Sequence, residues 1–279
     1  MAQTLSADSN PRLLGNFRSV KILNYVALSI LGVLLIEFVA SALFQQRSQA
    51  HLMSEFKTKL ATAATAIGSA DVSPLPDTAP AYGEPVALIQ IPAIGLSQVV
   101  VEGASSKYTQ LGPGHVPGTV LPGQAGEAVI VGRRTTFGAP FFKVPTLRPG
   151  TDIKVVTIEG PATYRVVSDK EALATKPQNQ LKLITSNPPV LAFKSSTITA
   201  VMQEKPYPDT AKNSRKSPAS NEFALMVLLL QVLVVALFAS TWIYRKYGAA
   251  IGWLLVTPLI AGSFVALTLA LDTLLPASI

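Results

Sequence analysis

The chain has 279 residues, of which 49% are hydrophobic and only 14% are charged, and its formal net charge is +7. So low a charged fraction is unusual for a soluble protein and indicates membrane segments. The chain contains no cysteine, which excludes disulfides, thiolate metal sites and a thiol nucleophile.

Three apolar runs are long enough to be transmembrane helices, which need about 20 apolar residues. They are residues 22–43, 223–243 and 249–271. Only five residues separate the last two, so we expect them to form an antiparallel helical hairpin. The small residues at 40–42 have the form of a signal-peptide cleavage site. The first run is longer than the usual apolar region of a signal peptide, however, and we expect an uncleaved anchor.

Basic residues in the short flanks predict the orientation of these helices, because such residues stay on the cytoplasmic side. Three basic residues precede the first run, and Arg245 and Lys246 lie between the last two. Both groups are cytoplasmic if residues 1–21 are inside and residues 44–222 are outside. We therefore predict a multi-pass cell-membrane protein with one extracytoplasmic domain.

The outer segment consists of a domain between two linkers. Residues 44–84 are expected to contain a juxtamembrane helix and then a Pro-rich linker, and residues 204–222 read as a second linker. The intervening residues 85–203 contain short β-type runs separated by Gly and Pro, which is typical of an antiparallel barrel or sandwich. A helical turn is expected at 141–147. The predicted strands are 86–91, 98–102, 127–131, 152–158, 163–168, 181–185 and 197–202.

Four motifs in this domain, taken in order, resemble the sortase family. They read IPAIGLSQVVVEG, LGPGHVPGTVLPGQAG, VIVGRRTTFGAPFFKVPTLRPGTDIKV and LKLITSNP. The pattern is closest to the class E sortases of Gram-positive actinobacteria and covers about residues 85–202. The resemblance implies an eight-stranded β-barrel. It also implies a membrane-anchored transpeptidase that cleaves an LPxTG-like sorting signal with a cysteine, a histidine and an arginine.

All three catalytic positions of that family are substituted in this chain. Its histidine lies in Gly-His-Arg, where this sequence has Arg133, and its cysteine lies in Thr-Cys-Asn-Pro, where this sequence has Ser186. The arginine position falls on Ser195, with Lys194 as the nearby cation. A guanidinium stays protonated and cannot carry a proton in catalysis. The segment between Ser168 and the next strand is also short for the family, which puts recognition of the sorting signal in doubt.

These substitutions favour a cell-envelope binding or scaffolding module without catalytic activity. We expect its groove to hold an acidic or carboxylate-bearing peptide, and we expect neither a cofactor nor a metal. The partners considered are the membrane, an active sortase, another envelope protein and a sorting-signal-like peptide, but not nucleic acid. The candidate groove residues are Arg133, Arg134, Thr185, Ser186, Lys194 and His115.

Two alternatives remain open at this stage. One is a transpeptidase or hydrolase with residual Ser186-dependent activity on sorting-signal peptides, and the other is a structural membrane protein whose groove is a relic. Arg134 is expected to form salt bridges with acids on neighbouring strands, Ser186 to be a solvated hydroxyl, and His115 to fix a turn, while His51 lies outside the domain.

Overall fold

The structure, a computed structural model, describes residues 11–67, 79–168, 179–187 and 194–207, with isolated positions at 171, 231, 246 and 262. The chain divides into two units, Met1–Val39 and Ala40–Ile279, and the barrel belongs to the second. Helix α1 spans Pro11–Ile67 and α2 spans Ser106–Thr109, with short 3₁₀ turns at Pro92–Ile94 and Val144–Thr146.

The predicted membrane runs fall mostly on parts of the chain that are not described. Residues 22–43 lie within α1, where most side chains before residue 38 are not described, and residues 223–243 and 249–271 lie outside the described ranges apart from single positions. Among the described residues, no helix is long and apolar enough to cross a membrane. The three transmembrane helices therefore stay a prediction.

The described part of the domain forms one closed β-barrel. Hydrogen-bonded neighbours follow the order β1-β2-β3-β4-β7-β8-β6-β5, after which β5 pairs with β1. The barrel closes because every strand in this order pairs with a neighbouring strand on each side. The eight strands are β1 (Pro85–Ile91), β2 (Leu96–Glu102), β3 (Gly114–His115), β4 (Glu127–Val131), β5 (Asp152–Thr157), β6 (Gly160–Val166), β7 (Gln180–Asn187) and β8 (Lys194–Met202).

The expectation of a purely antiparallel sheet is wrong, because the barrel is mixed. β2 pairs with β3 in parallel, and β4 pairs with β7 in parallel. The two-residue strand β3 lies in the segment GPGHVPG, which the sequence analysis treated as a turn. The other seven strands occur where they were predicted, and the expected helical turn is the 3₁₀ turn at Val144–Thr146.

The two ends of the barrel are distinguished by strand direction. We call the lower end the one at which β4 and β7 end and β2 and β8 begin, and the upper end the opposite one. The loop after β4 closes the lower end, because Phe141, Val144 and Leu147 are buried in the main core with the inward-facing residues of the strands.

Helix α1 packs along β2 through a second, smaller core. Leu52 and Phe56 are buried against Val99 and Val101 of β2. Burying each such side chain contributes about 1.5–3 kcal/mol. Since Gln45 bonds Gln98 near the lower end, and Lys59 pairs with Glu84 just before β1 at the upper end, α1 rises from the lower end to the upper end.

The chain leaves the barrel at the upper end, where Tyr207 holds it against the surface. Its N–H donates to the carbonyl of Gly123 (2.9 Å), and its carbonyl accepts from the N–H of Ala125 (3.2 Å). Its hydroxyl donates to the carbonyl of Pro161 (3.2 Å). Residues 204–207, predicted as the start of the second linker, are therefore part of the barrel surface.

Candidate functional site

The candidate site lies at the lower end, where the parallel strands β4 and β7 stop side by side. Val131 lies opposite Ile184, and the N–H of Gly132 donates to the carbonyl of Ile184 (3.0 Å). The buried hydroxyl of Thr185 donates to the carbonyl of Gly132 (2.9 Å). A Cβ at position 132 would overlap the ring of Phe141, so only glycine fits here. This pairing extends the strand register into the GRR motif and presents Arg133 and Arg134 to different surroundings.

Arg133, which the sequence analysis aligned with the histidine of sortases, is 0% exposed. Its Nη1 donates to the hydroxyl of Thr136 (2.9 Å), and its Nη2 donates to the carbonyl of Ser106 (3.1 Å) and to the Ser106 hydroxyl. Its Cζ lies 4.8 Å from the centre of the Phe137 ring, a cation–π contact. The expected groove would have presented Arg133 to solvent, whereas the structure ties the side chain into the interior.

The backbone beyond Arg133 has an unusual conformation that places Phe137. Phe137, Gly138 and Ala139 have φ values of 48°, 71° and 47°, in the left-handed region. Such a conformation is costly for residues other than glycine, about 1–3 kcal/mol each, and persists only where the surroundings impose it. Phe137 is buried between Arg133 and the ring of Phe44 on α1, whose centre lies 6.1 Å away in an edge-on arrangement. The loop therefore covers the Arg133 side chain.

Arg134 contacts Ser186, the residue that the sequence analysis aligned with the cysteine of sortases. Its Nη1 donates to the backbone carbonyl of Ser186 (2.7 Å) and to the side-chain oxygen of Asn187 (3.2 Å). These contacts replace the salt bridges to neighbouring acids that were expected for Arg134. The guanidinium is a fixed positive donor beside the end of β7.

Ser186 lies directly opposite Ser195 in the antiparallel pair of β7 and β8, and Asn187 lies opposite Lys194. Ser195 and Lys194 are exposed, but Ser186 is 0% exposed, which corrects the expectation of a solvated hydroxyl. The register thus brings together the two positions that the sequence analysis aligned with the cysteine and the arginine of sortases. In this chain both are serines.

His115 is the one histidine of the barrel sequence, and its ring nitrogens contact Glu102 and Val120. Its Nε2–H donates to the carbonyl of Val120 (2.9 Å), with the Thr119 hydroxyl 3.0 Å away, and its Nδ1 lies 2.7 Å from the carboxylate of Glu102. Both His115 and Glu102 are buried. These bonds fix the 115–120 turn, the structural role that the sequence analysis gave to His115. Both ring nitrogens of His115 therefore have partners other than Ser186. The other histidine, His51, is exposed on α1.

Ser106, Thr136 and Phe137 are site residues that sequence reasoning missed. Ser106 belongs to the four-residue helix α2, 27 positions before Arg133, and no motif marks it. The only available signal was the buried position expected for a residue directly after strand β4. A buried guanidinium needs acceptors, but the sequence does not say which segment supplies them.

Comparison with known proteins gives one match to a family model. Residues 89–199 match the family model of the Sortase domain. No curated protein sequence matches the chain.

Three of the similar solved structures are sortases. A sortase D5 transpeptidase of Clostridium perfringens is 21% identical, with 57% of this chain and 99% of that chain covered and a TM-score of 0.44. Sortase E1 of Streptomyces coelicolor, solved with a tripeptide in its active site, is 26% identical, with 46% and 93% covered and a TM-score of 0.41. Sortase E of Streptomyces avermitilis is 25% identical, with 46% and 93% covered and a TM-score of 0.38.

Proposed function

We propose that this chain, which carries a sortase domain without a cysteine, is a membrane-anchored envelope protein that binds or scaffolds and does not catalyse transpeptidation. The single observation that carries the proposal is the burial of the Arg133 side chain. The residue in the proton-carrier position is fully buried and bonded to Ser106 and Thr136 under Phe137. It is therefore a structural part of the barrel end.

The missing proton carrier is the main argument against catalysis. Acyl transfer by a serine hydroxyl requires a base that takes its proton. The chain has two histidines, of which His115 is bonded to Glu102 and Val120, and His51 lies exposed on α1. Neither histidine is hydrogen-bonded to Ser186 in the part of the chain that the structure describes.

A binding role is supported by the cations that remain at the end of β7. Arg134 is partly exposed and held on the carbonyl of Ser186, and Lys194 is exposed opposite Asn187. A carboxylate is the natural ligand of such a pair, because charge-assisted hydrogen bonds are stronger than neutral ones. The proposed ligand is an acidic or carboxylate-bearing peptide of the cell envelope, presented alone or as part of a partner protein.

A second candidate function rests on the contact between Arg134 and Ser186. A fixed guanidinium beside a serine resembles the donors that stabilise an oxyanion, so residual Ser186-dependent transpeptidase or hydrolase activity is the alternative. The burial of the Ser186 side chain argues against it, since an attacking hydroxyl must reach the scissile carbonyl.

One assay separates these functions. The full chain in detergent micelles is incubated with a panel of sorting-signal peptides, and cleavage and binding are measured together for Ser186→Ala, Arg134→Gln and the control Lys182→Gln. Lys182 is a partly exposed cation on the same strand as Ser186, 2.8 Å from Glu127. We expect binding without turnover, weakened roughly tenfold by Arg134→Gln and unchanged by Lys182→Gln.

The other outcomes have definite meanings. Turnover that Ser186→Ala abolishes establishes a serine-dependent enzyme and overturns the proposal. If no peptide of the panel binds, a peptide-binding role of this barrel end is excluded, and crosslinking in the native membrane tests the scaffolding role.

A further inference from the structure

The lower end of the barrel has an exposed surface whose composition and position point to one partner. Phe44 and Arg47 on α1 and Phe142, Lys143 and Arg148 on the closing loop are all exposed. We call these five residues the lower-end surface. Phe44 is 48% and Phe142 is 54% exposed, and both are among the large hydrophobic residues that the described chain leaves in solvent.

Helix α1 and the closing loop, which form the two parts of this surface, are held together by buried contacts. Phe44 packs edge-on against Phe137, and the amide oxygen of Gln45 lies where a Cβ on Gly138 would overlap it. The loop from Phe137 thus rests on α1 before it reaches Phe142. At its other end, Gly150 donates to the carbonyl of Val166, where β6 ends. Both ends of the loop are therefore fixed at the lower end of the barrel.

The charges of this end are predominantly positive. Arg47, Lys143 and Arg148 are exposed, with no salt bridge among those identified in the described chain. The described acids at the same end are Asp152 and Glu171. Asp152 pairs with Arg165, which lowers the pKa of the Asp152 carboxyl, and Glu171 caps the N–H of Ser168.

The direction of α1 says which way this surface faces. Because α1 rises from the lower end to the upper end, the chain enters the barrel unit at the lower end, beside Phe44. The residues before that point are those predicted to span the membrane. A surface of aromatic and basic side chains beside a membrane anchor matches the composition of segments that lie in the lipid interface.

We infer that the lower-end surface rests on the bilayer, with Phe44 and Phe142 in the interface and Arg47, Lys143 and Arg148 on anionic lipid headgroups. This inference depends on the membrane anchoring in the proposed function and adds to it an orientation. The substituted site then faces the membrane, and the upper end with Tyr207 faces away from it. Each Lys or Arg close to an anionic surface is worth roughly a fivefold change in affinity.

The absence of native cysteine makes a direct test simple. Phe142→Cys and, as a control at the upper end, Ala125→Cys are each labelled with an environment-sensitive fluorophore in the full chain. Ala125 is exposed and contributes only its backbone N–H to Tyr207. The labelled proteins are reconstituted in phosphatidylcholine vesicles with or without phosphatidylglycerol, and quenching by a headgroup-attached nitroxide is measured.

We expect the label at 142 to be quenched several-fold more than the label at 125. The difference should shrink without phosphatidylglycerol and with the added substitutions Lys143→Glu and Arg148→Glu. Equal quenching at 142 and 125 overturns the inference, as does a label at 142 that is shielded from water but not quenched, which would place another copy of this chain there. Equal quenching at 142 with and without phosphatidylglycerol overturns the headgroup contacts.

Failure of the anchoring itself gives a different result. Alkaline carbonate extraction of the same vesicles is done first. A chain that is extracted lacks the membrane anchor, and the proposed function fails at that step. A chain that is retained but shows no difference between labels keeps its anchor, and only the orientation proposed here is wrong.

Discussion

Arg133 shows how a charged residue can become part of a core. Its guanidinium is among the largest fully buried side chains of the described chain, and its donors reach Ser106 and Thr136. Taking a charge out of water is costly, and hydrogen bonds offset that cost only while all the partners are present. Substitution of Arg133 should therefore affect folding more than any ligand.

The first prediction compares the two arginines of the motif. Arg133→Ala removes the hydrogen bonds to Ser106 and Thr136 and the packing under Phe137, so we expect a loss of about 3 kcal/mol in the free energy of unfolding. Arg134→Ala removes contacts of a partly exposed side chain and should cost about 1 kcal/mol. Pulse proteolysis in urea on the full chain measures both. Equal losses for the two variants would mean that Arg133 is not the structural residue described above.

The second prediction concerns the pH dependence of stability. Burial raises the pKa of Tyr164 from 10.0 to about 12, although the N–H of Gly123, which donates to its hydroxyl (2.7 Å), opposes that shift. The folded state therefore favours the protonated phenol. This contribution is complete below about pH 10 and is lost as the pH rises toward 12, up to about 3 kcal/mol in all.

The measurement is the free energy of unfolding between pH 9 and 12, compared between the native chain and Tyr164→Phe. The variant should be slightly less stable near neutrality, because Gly123 loses its acceptor. It should also lose less stability as the pH rises. Parallel curves for the two proteins would contradict the assignment to Tyr164.

At the scale of elements, the side chain of Gln49 attaches α1 to the edge of β2 by hydrogen bonds. β3 is only two residues long, so its pairing with β2 stops at Val101. Two residues earlier, Val99 faces the same edge of β2. Its N–H and its carbonyl are bonded to the side chain of Gln49 (2.8 and 3.0 Å). The same amide nitrogen donates to the carbonyl of Leu111 (2.9 Å). The side chain of Gln49 therefore supplies the hydrogen bonds that a longer β3 would have made.

The third prediction follows from these bonds. Gln49→Leu keeps the size of the side chain but removes its amide, so the N–H of Val99 should exchange with solvent deuterium at least tenfold faster. Gln46→Leu is the control, because Gln46 is exposed on the same helix. Unchanged exchange at Val99 in Gln49→Leu would show that packing of Leu52 and Phe56 alone protects this edge.

The sequence predicted the positions of the strands better than it predicted which strands pair with each other. Seven strands were predicted from alternation and from Gly/Pro boundaries, because both are local signals. β3 was missed because two residues have no periodicity. The parallel pairing of β4 with β7 was missed because the 180–187 segment lies some 50 residues away and nothing local indicates its direction. For the same reason the partners of Arg133 and Arg134, which come from distant segments, were not predicted.

At the scale of the whole molecule, the fourth prediction tests the membrane topology. Intact cells expressing Ala125→Cys or Ser9→Cys are treated with a membrane-impermeant maleimide. We expect labelling of Ala125→Cys in intact cells and of Ser9→Cys only after permeabilisation, since residues 1–21 are predicted to be cytoplasmic. The chain has no cysteine of its own, so any label on the purified protein is at the introduced cysteine. Labelling of Ser9→Cys in intact cells would contradict the predicted orientation.

The attachment of Tyr207 to the upper end determines how many residues connect the barrel to the second predicted membrane span. β8 has nine residues, which at about 3.3 Å each span about 30 Å from the lower to the upper end. From Tyr207, residues 208–222 lead to the predicted span that begins at Phe223, and fifteen residues reach about 50 Å at most. A barrel resting on the bilayer uses more than half of that reach in the return path. About 20 Å of that reach remains for a barrel that rests on the bilayer, so this tether would let the domain rise by less than the length of β8.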